Sequence, residues 1–261
     1  MKNTSADRIT ELHRKQKEFF GTGVTLDISF RKTMLRKFLT AIEKWETRLS
    51  EALWTDLHKS SEEAYLTEIS IVKGEIRTHL KKVDSWASRK RVRTPLKLFP
   101  SATYVVKEPL GCSLIISPWN YPVQLLLNPL VGAISAGCTA LLKPSPYVPN
   151  VSQVIEDMIS ETFDPEYIAV VQGHRDANIV LLEQRWDIIF FTGSPSLAKT
   201  VMAAAAGNLT VSAAVTGTVD VAVDGSENKV LKSSGCKKAA IAPSSYYKPP
   251  KSMLYNGQQP V

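Results

Sequence analysis

The sequence contains few cysteines, no long apolar segment and neither of the two common glycine-rich phosphate motifs. Its three cysteines, Cys112, Cys138 and Cys236, are spaced neither as a disulfide framework nor as metal ligands. We therefore expect no bound metal, and a reducing compartment. No window approaches the roughly 18 consecutive apolar residues of a membrane helix, and the polar N-terminus lacks the apolar core of a signal peptide. These absences predict a soluble, cytoplasmic protein without a membrane segment.

The charge is distributed unevenly along the 261 residues, whose net charge is +7. The basic excess lies in the first 100 residues. A basic surface could bind nucleic acid or a membrane surface, but Lys and Arg alternate there with Glu and Asp, which favours a solvated helix face. The tight cluster Arg89, Lys90, Arg91 and Arg93 has no interleaved aromatic residues for base stacking. We expect no nucleic-acid partner.

Residues 1–93 are predicted to be a helical region. Apolar residues recur there at three- and four-residue steps in two stretches, which predicts two helices with buried apolar faces. The two prolines of residues 94–100 break this pattern, and residues 102–106 (ATYVV) are predicted to form a strand. The two apolar stripes are Met34, Phe38, Ile42, Trp45, Leu49 and Leu53, and Leu66, Ile69, Val72, Ile76, Leu80, Val83 and Trp86.

From residue 110 onward, short apolar strands alternate with helices. This alternation predicts right-handed crossovers and a parallel sheet, and all-apolar strands indicate that both faces of the sheet are covered. The fold class is therefore α/β, with N-terminal helices followed by a doubly wound, Rossmann-like sheet over residues 109–210. Polar or glycine-bearing turns (SPWNY, KPSP, QGHR and TGSP) follow the strands, where such sheets bind ligands. The predicted strands are residues 112–116, 139–142, 168–171 and 187–191.

Four residues in these turns are candidate site residues, each with an alternative structural role. Asn120 could donate a hydrogen bond to an oxyanion or close an Asx-type turn. Lys143 could hydrogen-bond ribose hydroxyls, although a strand-end lysine taken alone is better explained as a snorkelling surface residue. Gly193 and Ser194 open a helix whose exposed amides suit a pyrophosphate, but a turn glycine before an N-cap serine explains the same pattern.

The segments PLGCSLIISPWNYPVQLLLNPLVGAISAGCTALLKPS (residues 109–145) and QRWDIIFFTGS resemble the aldehyde dehydrogenase superfamily. PWNYP and the stretch FRKTMLRKFLTAIEKWETRLSEALWTDLHKS resemble its class 3, or fatty-aldehyde, branch, and the match covers residues 25–210. The resemblance implies NAD(P)-dependent oxidation of an aldehyde to a carboxylic acid, with NAD or NADP as the cofactor. It also implies a homodimer in intact relatives, with an oligomerisation-flap strand in residues 94–108.

The resemblance implies roles for individual residues at two of the turns. Asn120 would contribute its side-chain amide to the oxyanion hole, which makes it the one catalytic residue predicted here. Trp119 would lie beside it at the nicotinamide end of the cofactor. Lys143 would bind the adenosine ribose, and Pro144 and Ser145 would lie along the adenosine side.

At the third turn, the resemblance implies that Gly193 and Ser194 cradle the pyrophosphate and that Leu197 lies beneath the cofactor. The sequence also departs from the family pattern. Some members carry a glutamate that reaches the ribose three residues after the motif lysine, and this position is Pro146 here.

Further departures fall in residues 211–261, a divergent tail with β character in VTGTVDVAV and predicted loop or disorder elsewhere. In an ungapped alignment, the family's general-base glutamate falls on Val215 and the glycine two residues later on Gly217. The family's nucleophilic cysteine has only a faint counterpart at Ala240, in AIAPSSYY. The lysines flanking Cys236 could lower its thiol pKa, but no neighbouring group could activate it, so we favour a non-catalytic cysteine.

Two descriptions of the chain follow from these departures. One is an aldehyde dehydrogenase that is C-terminally truncated or frameshifted and lacks the catalytic cysteine and glutamate. The other is a non-catalytic nucleotide-binding fragment or an unstable truncated product.

Cys112 and Cys138 lie in strand or helix-end contexts and are predicted to be core residues.

Overall fold

A computed structural model describes residues 3–205 and, beyond them, the backbone of four strands within residues 210–255. The remaining residues of the predicted tail, including Gly217, Cys236 and Ala240, lie outside the described residues, and so does most of the segment predicted to be loop or disorder.

Eight α-helices and ten strands follow one another along the described parts of the chain. The helices are α1 (Ala6–Gly21), α2 (Ile28–Leu57), α3 (Ser61–Ala64), α4 (Ser70–Ala87), α5 (Pro122–Ala136), α6 (Pro149–Thr162), α7 (Arg175–Glu183) and α8 (Pro195–Ala204), with a π-helical turn at Tyr65–Ile69 between α3 and α4. The strands are β1 (Lys90–Val92), β2 (Ala102–Val106), β3 (Cys112–Ile116), β4 (Thr139–Lys143), β5 (Ile168–Val170), β6 (Ile188–Gly193), β7 (Thr210–Val215), β8 (Val219–Asp224), β9 (Lys229–Lys232) and β10 (Lys251–Tyr255).

The main sheet has the strand order β5-β4-β3-β6-β7-β8-β9. Its first five strands are parallel, whereas β8 and β9 add antiparallel pairs that the sequence analysis did not predict. Chain order runs outward in both directions from β3, so the topological switch point lies between β3 and β6. Open α/β sheets bind ligands in the crevice outside the carboxyl ends of the strands at this point.

Helices cover both faces of this sheet, which confirms the predicted doubly wound α/β class. One face packs against α5 and α6, with α2 and α4 lying outside them. The other face packs against α1, α7 and α8. All five residues of β3 are buried, and successive side chains point into the two different cores, as the uninterrupted apolar run requires. The N-terminal helices therefore help to build both layers, and the boundary at residue 93 stays a prediction.

The apolar stripe of α2 is buried as predicted, but the second stripe changes register at the π-helical turn. Leu66, predicted to face the core, is 67% exposed, whereas Glu68 and Ile69 are fully buried. A π turn inserts one extra residue into the helical repeat, so the positions before and after it no longer share one face. The prediction that Leu66 faces the core is therefore wrong, because it assumed a constant helical period through this segment.

A smaller antiparallel sheet joins β1, β2 and β10, and its central strand is the one predicted at residues 102–106. The basic cluster at residues 89–93 lies along exposed β1 and not on a helix, and the Arg89 guanidinium stacks 4.6 Å from the ring centroid of Tyr104. Within the described residues, no helix has the length and apolar character needed to cross a membrane.

Candidate functional site

Three neighbouring strands deliver the predicted site residues to one edge of the main sheet. Ile116, the last residue of β3, is paired with Lys143 of β4 on one side and with Phe191 of β6 on the other. The backbone N–H of Ser117 donates to the carbonyl of Lys143 (3.2 Å), which joins the first two strand ends. The 117–121 loop, Lys143 and the turn at Gly193 therefore lie at one edge of the sheet, with the topological switch point between the loop and the turn at Gly193.

Lys143 is buried at this edge, with only 1% of its surface exposed. Its Nζ donates to the carbonyl of Pro144 (2.9 Å), its one hydrogen-bond partner among the described residues. Burial lowers the pKa of this ammonium group from 10.5 to about 8. The snorkelling alternative is therefore wrong, because the side chain runs inward from the strand end and leaves most of its three donors available.

Asn120 lies half-buried in the loop between β3 and α5. Its backbone carbonyl accepts a hydrogen bond from Nζ of Lys59 (2.8 Å), whereas its buried Oδ1 has no hydrogen-bond partner in the described part of the chain. The alternative of an Asx-type turn is wrong, because that turn requires Oδ1 to accept a backbone N–H. The neighbouring Trp119 is 53% exposed. The amide group is therefore held by the backbone of its loop and not by a local side-chain bond.

Ser194 is the N-cap of α8, as the structural alternative predicted. Its Oγ accepts a long hydrogen bond from the N–H of Leu197 (3.4 Å) and lies 3.1 Å from Oγ of Ser196. The first turn of α8 is exposed, including Leu197. An N-cap serine and exposed first-turn amides also form the usual anion-binding arrangement, so the capping role leaves the phosphate-binding role open.

Position 193 requires a glycine because the ring of Phe191 packs closely against it. A Cβ built on Gly193 would lie 2.5 Å from Cζ of Phe191, two residues earlier on the same face of β6. The glycine thus lets the Phe191 ring lie across the strand end. Next to it, Oγ of Thr192 is buried and, within the described residues, has no hydrogen-bond partner.

Pro144 and Ser145 form the buried turn that follows β4. Oγ of Ser145 accepts from the N–H of Tyr147 (3.4 Å), and its carbonyl accepts from Oγ of Ser152 (2.9 Å). The hydroxyl is therefore engaged within the turn, and these residues contribute the shape of the turn beside Lys143. Pro146 follows at a half-buried position.

These strand ends carry groups that could hold the ribose hydroxyls and the pyrophosphate of a dinucleotide. Ribose hydroxyls need a donor such as the under-used ammonium of Lys143. A pyrophosphate needs exposed amides and hydroxyl donors, which the N-terminus of α8 and Ser194 offer. Buried hydroxyl oxygens that have no hydrogen-bond partner among the described residues also lie at the ends of β3 and β6, on Ser117 and Thr192. In the described part of the chain, no group of His, Cys, Asp and Glu side chains is arranged to hold a metal.

An ion pair that was not predicted from the sequence lies beneath the Asn120 loop, between Lys59 and Glu68. Nζ of Lys59 lies 2.7 Å from Oε1 of Glu68, and the Glu68 side chain is fully buried. Oε2 of Glu68 accepts from the N–H groups of Val123 (2.8 Å) and Gln124 (3.2 Å) in the first turn of α5. The sequence gives no clear signal for this pair, since Glu68 stands directly before Ile69 and would lie beside the apolar stripe of a regular helix, where charged residues are ordinarily solvated.

Cys112 and Cys138 are fully buried, which confirms their predicted place in the core. Burial raises the thiol pKa of Cys112 to about 12 and that of Cys138 to about 11. Neither is therefore a nucleophile at neutral pH.

Comparison with known proteins supports the family suggested by the sequence. A model of the aldehyde dehydrogenase family matches residues 1–227. The 4,4'-diaponeurosporen-aldehyde dehydrogenase of Staphylococcus aureus is 49% identical over 193 residues, covering 74% of this chain and 42% of that protein. Human aldehyde dehydrogenase family 3 member B1 is 39% identical over 204 residues, covering 78% of this chain and 44% of that protein. The chain thus spans less than half the length of these relatives.

Solved structures give the same result. The substrate-bound Staphylococcus aureus AldH superimposes with a TM-score of 0.76 at 44% identity, covering 81% of this chain and 48% of that one. A betaine aldehyde dehydrogenase from the same organism, solved in complex with NAD+, has a TM-score of 0.71 at 21% identity, covers 82% of this chain and 43% of that one, and shows the shared fold. The predicted family, its class 3 branch and the NAD(P) dependence of its members are confirmed. The chain belongs to the aldehyde dehydrogenase family.

Proposed function

We propose that this chain binds the adenosine and pyrophosphate parts of NAD(P) at the carboxyl ends of β3, β4 and β6, as the cofactor-binding half of an aldehyde dehydrogenase. Lys143 would donate to the ribose hydroxyls, beside the turn formed by Pro144 and Ser145. Gly193 and Ser194 would face the pyrophosphate. In addition, Leu197 would lie beneath the cofactor and Trp119 would lie at its nicotinamide end.

The observation that carries this proposal is the burial of Lys143 with a single backbone partner in the described residues. An ammonium group removed from water loses hydration free energy unless hydrogen bonds replace it. Pro144 supplies one of three possible acceptors. A ligand with vicinal hydroxyls would supply the others, and Lys143 lies at the carboxyl end of β4, next to β3, which borders the switch point where such sheets bind ligands.

For the whole enzyme we propose that Asn120 acts on the aldehyde and not on the adenosine. Its amide would donate to the oxygen that gains negative charge when a nucleophile attacks the carbonyl carbon. A donor of this kind accelerates the reaction only if it is held in place before the charge develops. The hydrogen bond from Lys59 to the Asn120 carbonyl supports such an arrangement.

We further propose that the 261-residue chain binds nucleotide without oxidising aldehydes. Val215 occupies the position matched to the general-base glutamate, and an aliphatic side chain cannot activate water. Its Cα pairs with Gly193 in the register of β6 and β7, at the sheet edge that carries the site. Ala240 occupies the position matched to the nucleophilic cysteine. Thermal unfolding distinguishes this proposal from the alternative of an unstable product. A folded nucleotide-binding chain unfolds in a cooperative transition, whereas an unstable product shows none.

Calorimetric titration with ADP tests the binding site. We expect a dissociation constant of about 0.1–1 mM for the wild-type chain, because each missing contact worth ~1.4 kcal/mol weakens binding tenfold. Lys143→Met should weaken ADP binding by at least roughly tenfold. The matched control is Lys81→Met on the exposed surface of α4, which should leave affinity unchanged. Equal affinities for the two variants would overturn the assignment of Lys143.

NADH formation tests the proposed lack of activity. Purified chain, NAD+ and short- or long-chain aldehydes should give no NADH above the enzyme-free rate. Turnover that is abolished by Cys236→Ala would contradict the proposal and would identify Cys236 as the nucleophile.

A further inference from the structure

The loop that carries Asn120 is held from below by two residues with no role in the resemblance to the family. Lys59 follows the C-terminal end of α2, where His58 adopts the left-handed conformation (φ 55°). Glu68 projects inward from the π-helical turn at Tyr65–Ile69. These two irregular backbone features bring a cation and an anion together beneath the β3–α5 loop, and π turns inside helices often occur at functional sites.

Each member of the pair makes hydrogen bonds to a different part of the loop. The Lys59 ammonium binds Glu68 Oε1 (2.7 Å) and the Asn120 carbonyl (2.8 Å), and it lies 4.0 Å from the ring centroid of Tyr121. The carboxylate oxygen Oε2 of Glu68 accepts from the N–H groups of Val123 and Gln124. The pair thus binds both the residue that would stabilise the oxyanion and the helix that follows it.

The second contact replaces a conventional helix cap. The N-cap position of α5 is Tyr121, which makes no side-chain capping hydrogen bond, and Pro122 has no N–H to satisfy. Glu68 therefore caps α5 from another element, with a negative charge placed at the positive end of the helix dipole. Because both ions are buried, loss of either leaves the other without an opposite charge beside it.

We propose that Lys59 and Glu68 are positioning residues that fix the Asn120 loop for oxyanion stabilisation, through the Lys59–Asn120 carbonyl bond and the Glu68 cap on α5. This inference rests on the proposed role of Asn120. It is tested by the geometry of the loop itself, so it can fail independently of nucleotide binding or aldehyde oxidation.

The first test is the side-chain amide resonance of Asn120 in the NMR spectrum of the isotope-labelled chain, assigned through Asn120→Asp. Lys59→Met, recorded well below its unfolding temperature, should shift or broaden this resonance. The matched control is Lys32→Met, which removes an ion pair of the same 2.7 Å length between Lys32 and Asp84, away from the loop. A folded Lys59→Met chain with an unchanged Asn120 resonance would overturn the proposal, because a purely stabilising pair changes only the unfolding midpoint.

The second test uses Glu68→Gln, which keeps the side-chain volume and removes the charge. We expect the Val123 and Gln124 amides to exchange with solvent about ten- to a hundredfold faster than in the wild type, the range given by loss of a charged hydrogen-bond acceptor. Exchange at the wild-type rate would contradict the capping role.

The wild-type chain supplies a third test that needs no variant to fold. The amides of Ser196 and Leu197 occupy the first turn of α8, where the cap is a neutral hydroxyl at 3.4 Å. Val123 and Gln124 should exchange at least roughly tenfold more slowly than these two amides, because they are bonded to a buried carboxylate. Faster or equal exchange at Val123 and Gln124 would show that Glu68 does not hold the start of α5.

Discussion

The affinity of this chain for NAD+ should depend on pH through Lys143. Burial lowers the pKa of its ammonium group to about 8, so near pH 8 a large fraction of the free chain carries a neutral lysine. Ribose hydroxyls that accept hydrogen bonds from Nζ favour the charged form, and binding therefore raises this pKa. By linkage, the chain takes up a proton on binding, and affinity falls as pH rises through the pKa of the free chain.

The magnitude follows from the two pKa values. If binding restores the lysine to its ordinary pKa near 10.5, the dissociation constant should rise up to roughly tenfold between about pH 7 and about pH 9. NAD+ is the suitable ligand because its pyrophosphate diester does not titrate in this interval. Calorimetry in two buffers of different ionisation enthalpy measures the proton uptake directly.

Lys143→Met provides the internal control, because it should bind weakly and without pH dependence. It should also be more stable than the wild type below about pH 8, by on the order of 3 kcal/mol, since the charged form is disfavoured in the folded state. That difference should disappear as pH rises from about 8 towards 10.5, where the unfolded lysine also loses its proton. Proton release on NAD+ binding, or affinity that is flat across this range, would refute the reasoning.

Two further predictions concern the scaffold. Gly137→Ala should lower the free energy of unfolding by about 2–4 kcal/mol in urea titrations, because φ is +91° and the new Cβ would lie 2.7 Å from Nε of buried Arg31. Gly74→Ala inside α4 meets nothing within 4 Å and should instead stabilise by roughly 0.5–1 kcal/mol, so equal effects of both changes would contradict the account. Cys112 and Cys138 should resist alkylation at neutral pH until the chain unfolds, as measured by peptide mapping; rapid labelling of the folded chain would show that these thiols are accessible.

The regular elements were predictable because they depend on local patterns. The strand predicted at residues 139–142 forms the first four residues of β4 (Thr139–Lys143), and the strand predicted at residues 187–191 begins one residue before β6 (Ile188–Gly193). Apolar period and turn residues determine such elements largely by themselves. The convergence of the turns after β3, β4 and β6 followed from the parallel topology alone.

The interactions that hold the site were not predictable in the same way. Lys59 and Asn120 are 61 positions apart, and Glu68 and Val123 are 55 positions apart. Lysine is usually a surface residue, and only the packing around the end of β4 shows that Lys143 is buried. A charged residue beside an apolar stripe has the same local pattern whether it is solvated or buried, and a constant helical period gives no sign of the π-helical turn that directs Glu68 inward.

The ratio of the dissociation constants for NAD+ and ADP, measured by calorimetry on the 261-residue chain, tests the central claim most directly. The account predicts a ratio near one, because the donors that we assign among the described residues serve the adenosine and pyrophosphate, which ADP also contains. NAD+ binding roughly a hundredfold tighter than ADP, about 2.7 kcal/mol, would mean that the nicotinamide pocket is complete in this chain and would contradict the claim.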